Sequence, residues 1–172
     1  MIKRTLSPNA RFLLVFFATL VGSFALIAFN PVNDHVIVPF TGWITRVSGA
    51  ILNLLGQEVT ITGTVIASSQ FGVDIKNGCN GVEAMLLVLA AIFAFPATWI
   101  SRVVGILAGA IAVQLLNFIR IVSLYLLGRY YPEIFQLFHT GVWQILIILA
   151  GVGIFLLWSF KFAQPRRMEA SA

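Results

Sequence analysis

The chain has little charge. Only 10% of its 172 residues are Asp, Glu, Lys or Arg, while 59% are hydrophobic. A soluble domain of this size cannot cover so much apolar sequence with so few charges, which leaves an integral membrane protein. There is one cysteine, Cys79. That excludes an intramolecular disulfide and a Cys-rich metal site, and leaves a thiol that is either an inert small hydrophobe or a nucleophile. With two histidines and six acids, a catalytic metal lacks converging ligands. The basic residues sit at segment ends and form no stripe with interleaved aromatics, which argues against nucleic acid. No cofactor is implied.

Long apolar runs are present instead. The first covers 12–29, about 18 residues, just enough to cross a bilayer core. Ser23-Phe24-Ala25 has the small-x-small look of a signal cleavage site, but the apolar run continues past it, so a retained anchor is expected. Further runs suggest spans over 79–99, 103–127 and 141–160. The expected fold is an all-α polytopic membrane protein with four transmembrane helices, forming one domain over 1–172.

Between spans one and two lies a more polar insert, 30–78. Asn30-Pro31 and Pro39 should break the chain there. From 40 to 55 the pattern is helical, with Trp43, Val47, Ala50, Ile51, Leu54 and Leu55 on one face. This reads as an amphipathic surface helix. The period then changes to two in 59–65 and 71–76, as in a β-hairpin with one face on apolar surface. Unpaired strand edges cannot sit in lipid, so the hairpin belongs outside the hydrocarbon.

The charges order the topology. One side collects Lys3, Arg4, Arg11, Arg102, Lys161, Arg166 and Arg167 with Glu169 as its only acid. The other collects Arg46, Lys76 and Arg129 against Asp34, Glu58, Asp74 and Glu133. Both termini are then expected in the cytoplasm and the insert outside.

Topology decides which polar residues can meet. Cys79 begins span two and His139 begins span four, both on the outer side. Arg120 lies roughly 27 Å up span three from its inner end, which brings it to the same depth. A lone cysteine or histidine means little. An arginine inside an apolar span is costly and points to a site, unless it snorkels outward or pairs structurally with Glu83. Asn117, one turn before Arg120, is placed to orient the guanidinium or to bind helices together, and Gln114 to add packing polarity. Glu83, four residues after Cys79, is placed to hold Arg120 or His139. Gly78 and Gly81 leave the thiol uncrowded, and a helix N-terminus would lower its pKa. Cysteine, histidine and arginine together suit acyl transfer: thiolate attack, proton transfer and fixed positive charge on an oxyanion.

Gly78-Cys79-Asn80-Gly81-Val82, Asn117-Phe118-Ile119-Arg120-Ile121 and the later His139 resemble, in order, the three signature segments of the exosortase/archaeosortase family. The segments 77–84, 95–97 and 120–124 are similar to the exosortase H subgroup. The resemblance implies a membrane transpeptidase or protease with Cys79 as nucleophile, Arg120 as transition-state stabiliser and His139 as general acid/base. It implies substrates that are secreted proteins ending in a short motif, of an Ile-Pro-Thr-Leu type for the H subgroup, then a transmembrane helix and a basic tail. Cleavage would occur at the outer face of the bacterial inner membrane, with transfer to a cell-envelope acceptor as one outcome. Many members have serine where this chain has Asn80, and Glu83 is outside the general signature. Both bear on substrate choice rather than on the triad.

Two other readings compete. One is a non-enzymatic scaffold with Arg120 and Glu83 as a structural ion pair. The other is a small transporter. No polar series continues inward from Arg120 and no inverted repeat is visible, which weakens the transporter.

Overall fold

The computed structural model describes residues 7–163. Lys3, Arg4, Arg166, Arg167 and Glu169, which entered the charge count, lie outside the described residues. Helices dominate, and a three-stranded antiparallel sheet accompanies them.

Helix α1, Pro8–Ala28, is capped by Ser7, whose hydroxyl accepts from the Ala10 N–H at 3.2 Å. Pro8 stands in its first turn, where no N–H is needed. Helix α5, Trp99–Tyr130, starts from a Thr98 cap. The short helix α6, Pro132–Leu137, a π-helical turn over Phe138–Val142, and α7, Trp143–Lys161, follow one another without a break. Among the described residues three stretches are long and apolar enough to cross a membrane: Pro8–Ala28, Trp99–Tyr130 and Pro132–Lys161. The protein is a multi-pass, mainly helical membrane protein.

The second expected span, 79–99, is helical over only part of its length. Its helix, α4, covers only Val82–Ala94. Thirteen residues rise about 20 Å, short of a hydrocarbon core of roughly 30 Å. Gly81 starts it from a left-handed conformation, φ +79°, and Pro96 ends it by holding Phe95 extended at ψ 138°. Helix α4 is packed among α1, α5 and α7. Small residues let the helices approach. Trp158 lies against Gly105, Ile92 comes within 3.2 Å of where a Gly109 Cβ would stand, and the Phe71 ring covers Gly128.

The insert also differs from expectation. The first helix does break ahead of Asn30-Pro31: α1 ends at Ala28 and Phe29 is extended at ψ 120°. Asn30 then opens a short helix, α2, Asn30–Val32, that runs through a π-helical turn, Asn33–Ile37, into α3, Val38–Leu54, without the second break expected at Pro39. Pro31 and Pro39 both stand in first turns, where their missing N–H groups are tolerated. Helix α3 keeps the apolar face of the expected surface helix outward. Thr41, Ile44, Thr45, Ser48, Gly49 and Leu52 are buried, while Trp43 and Leu54 are exposed. The threonine hydroxyls satisfy themselves on backbone carbonyls four residues earlier, Thr41 on Ile37 and Thr45 on Thr41, both at 2.8 Å. A small-residue face can then pack closely, and the large apolar side chains are free to face lipid.

The expected hairpin is a three-stranded meander: β1, Thr60–Thr62, β2, Val65–Ala67, and β3, Gly72–Asp74. The run 59–65 holds a turn, with Gly63 at φ +61°, and so contributes to two strands. Ile61, Ile66 and Val73 are cross-strand partners and form the apolar row. Ile66 and Ile75 join Ile44, Leu52, Ile121 and Tyr125 in one core cluster. A second cluster around Val88, Ile92, Val113 and Trp158 lies toward the other end of the helices.

Candidate active site

Cys79 does not open a helix. It sits in a turn, its N–H bonded to the Lys76 carbonyl at 2.9 Å, three residues before α4 begins. The turn is held by side chains that follow it in sequence. Glu83 Oε1 accepts from the Gly78 N–H at 2.8 Å. The Asn80 side chain accepts from the Val82 N–H at 3.1 Å and donates to the Thr41 hydroxyl at 2.9 Å and to Asn77 at 3.3 Å. Asn80 is fully buried, and its carbonyl accepts from Gln114 at 3.4 Å. It therefore ties α3, α4 and α5 together beneath the thiol and does not face a substrate.

Two glycines are required here for different reasons. Gly78 has φ +87° with open space around it. Gly81 has φ +79°, and a Cβ there would stand 2.9 Å from Asn117 Cγ. Asn117 is fully buried against that backbone, and neither of its amide atoms has a hydrogen-bond partner among the described residues. It does not orient Arg120.

Arg120 is 4% exposed and donates to the Gly78 carbonyl at 3.3 Å, while its Nε has no partner among the described residues. It neither snorkels nor pairs with Glu83: among the described residues the ion pair within 4 Å is Lys76 with Asp74. His139 lies in the π-helical turn between α6 and α7, a kind of distortion that often re-aims a functional side chain. Its Nε2 is 3.3 Å from Cys79 Sγ.

The imidazole is positioned by rings that the sequence did not bring forward. His139 stacks on Phe135 with centroids 5.5 Å apart and planes at 10°. Phe135 meets Phe71 edge-on at 5.7 Å, and Phe71 meets Tyr125 at 5.6 Å. The Tyr125 hydroxyl donates to Ser68 at 2.9 Å. The i, i+4 spacing of Phe135 and His139 was the available signal. Phe71 was hidden because its role depends on a long-range contact.

Cys79 and His139 open into a cavity of about 310 Å³, walled by β3 on one side and by Ile121, Leu124 and Phe135 on the other. Burial pushes the thiol above its ordinary range, the Arg120 cation pulls it back, and the Glu83 carboxylate adds to the rise. The expected lowering by a helix N-terminus does not prevail, because the thiol stands ahead of the helix and half out of water. Among the described residues no group of three His, Cys, Asp or Glu side chains gathers to hold a metal ion.

The family model described as Transmembrane exosortase (Exosortase_EpsH) matches residues 5–162. The chain belongs to the transmembrane exosortase family. The comparisons with curated proteins and with solved structures returned no significant match. The matched stretch of this exosortase family member contains every residue of the site just described. The family is one of membrane protein-sorting transpeptidases.

Proposed function

We propose that this protein is a cysteine transpeptidase or protease that cleaves C-terminal sorting signals of secreted proteins at the outer face of a bacterial inner membrane. The observation that carries the reading is the Cys79 Sγ–His139 Nε2 approach of 3.3 Å inside a cavity, with a buried arginine bonded to the turn that holds the thiol. His139 takes the thiol proton as Sγ attacks the scissile carbonyl. The tetrahedral oxyanion is stabilised by the fixed charge of Arg120. His139 then protonates the leaving amine, the C–N bond breaks, and a thioester remains on Cys79. Water or an acceptor amine attacks the thioester, delivers a proton through His139 and restores the thiol.

Four crossings with cytoplasmic termini belong to this reading, the second made by α4 together with the non-helical residues on either side of it. Arg102 bonds to the Phe95 carbonyl, Phe95 packs on Phe12 beside Arg11, and Trp158, near Lys161, bonds to the Ser101 carbonyl. These contacts gather the basic residues near the C-terminal end of α4, whereas Cys79 precedes its N-terminal end. Substrates would be membrane-tethered proteins ending in a motif of the Ile-Pro-Thr-Leu type, an apolar helix and a basic tail.

The test is co-expression with a reporter carrying such a tail. Wild type should process it, and Cys79→Ala, Arg120→Ala and His139→Ala should each abolish processing while inserting normally. Processing at the wild-type level by all three variants would overturn the reading. A scaffold would tolerate Cys79→Ala.

A further inference from the structure

Among the described residues the edge of β3 has no partner strand. The sheet order is β1-β2-β3, so β3 is paired on one side only. In an antiparallel pair, backbone groups point alternately toward the partner and away from it. The Ser68 N–H bonds to the Phe71 carbonyl at 2.8 Å and the Ile75 N–H to the Thr64 carbonyl at 2.9 Å. With Ile66 opposite Val73, the inward-pointing residues are therefore 71, 73 and 75. Gly72 and Asp74 turn their N–H and C=O groups away from β2, and these four groups have no hydrogen-bond partner among the described residues.

Such an edge is a template for another strand and costs free energy beside apolar surface if it stays unpaired. Here it does not face open surroundings. Phe71 to Ile75 form one wall of the cavity into which Cys79 and His139 open. Anything attacked by Cys79 lies along that wall. The available edge, 72–74, matches an extended segment of about four residues.

We propose that the substrate's sorting motif binds as a fourth, extended strand on the free edge of β3, its main chain bonded to Gly72 and Asp74, which lays the scissile carbonyl beside Cys79. This rests on the function proposed above and names the surface that reads the substrate. Main-chain pairing gives affinity for any extended peptide. Phe71, Ile121 and Leu124 then select the alternate side chains that enter the cavity.

Two measurements test it with the full-length chain. In a Cys79→Ala background, Asp74→Cys is oxidised in the presence of reporters whose tails carry one cysteine at successive motif positions. Disulfide yield should alternate with a period of two along the motif, and Thr60→Cys on the opposite sheet edge should give little. A yield without alternation, or equal capture from Thr60→Cys, overturns the proposal. Second, with Gly72→Ala as the control for the added Cβ, which would stand 3.3 Å from Ala67 Cβ, Gly72→Pro removes an outward N–H. It should lower kcat/KM for the reporter about three- to tenfold, the loss of one main-chain bond, with unchanged insertion. An unchanged kcat/KM overturns it. The cross-linking needs no cleavage, so its failure is separable from failure of the catalytic reading, which shows as wild-type inability to cut the reporter.

Discussion

Gly81→Ala is the most informative single change in the turn that carries the thiol. At φ +79° an alanine is held in the left-handed region, which costs about 1–2 kcal/mol. Its Cβ also meets Asn117 at 2.9 Å on Cγ, 3.0 Å on the amide nitrogen and 3.1 Å on Cβ. Asn117 is fully buried on a rigid helix and cannot move aside, so overpacking adds about 1–3 kcal/mol. The total is about 2–5 kcal/mol. Gly78→Ala is the internal control. Its φ is +87°, but a Cβ there meets nothing within 4 Å, so only the backbone cost of about 1–2 kcal/mol applies. Unfolding in mixed micelles titrated with denaturing detergent would measure both. Adding Asn117→Ala to Gly81→Ala removes the amide contacts but leaves the Cβ contact, so a coupling of about 1 kcal/mol is expected. The reasoning is refuted if Gly81→Ala costs no more than Gly78→Ala, or if the double variant shows no coupling.

Three further outcomes follow from the same contacts. Arg120→Gln removes the charge that pulls the Cys79 thiol down, so its pKa rises and alkylation by iodoacetamide slows at any pH below it; Glu83→Gln removes a charge that pushes it up and should speed alkylation. Opposite signs in pH–rate profiles would refute the electrostatic account. Asn80→Ala deletes three buried or part-buried hydrogen bonds, the one from the Val82 N–H among them, and should cost about 1–3 kcal/mol in the same unfolding measurement. Phe135→Leu frees the imidazole from its stack and should lower kcat for the reporter roughly tenfold or more with little change in KM; a change confined to KM would show that Phe135 contacts substrate instead.

The spans that depend on length and hydropathy were legible in the sequence. So was the sharing of one end of the bundle by residues 79, 120 and 139, because topology follows from apolar runs and charge placement. The elements set by local chemistry in tertiary context were not. Periodicity marked the apolar stripe of α3, which is exposed, but not that the opposite face, with Thr41, Ile44, Thr45, Ser48 and Leu52, would be packed into the protein. Gly63 looked like a strand residue within an alternating run, yet its positive φ made a turn. Pro39 looked like a break, but a proline in the first turn continues a helix when the preceding residues are already wound. Glu83 was assigned to Arg120 or His139 because it was placed on a helix with Cys79. The chain instead loops back, and the carboxylate reaches the Gly78 N–H.

That last contact bears on why a buried arginine and a nearby carboxylate remain unpaired. Gly78 is bonded from both ends by opposite charges: its N–H donates to Glu83 and its C=O accepts from Arg120. The two charges hold the two successive peptide groups that flank the Gly78 Cα, which fixes the turn next to Cys79. A direct bidentate pair would have tied two guanidinium N–H groups to the carboxylate and left the turn unheld. The observed arrangement leaves Arg120 Nε–H unbonded and its charge not neutralised at contact distance. On the proposed mechanism this is what an oxyanion stabiliser requires, since a donor already bonded to a carboxylate gives little to a developing charge. The raised thiol pKa agrees with the same logic. A site that keeps its sulfur protonated at rest avoids a standing thiolate in apolar surroundings, and forms negative charge only as His139 takes the proton and the carbonyl arrives.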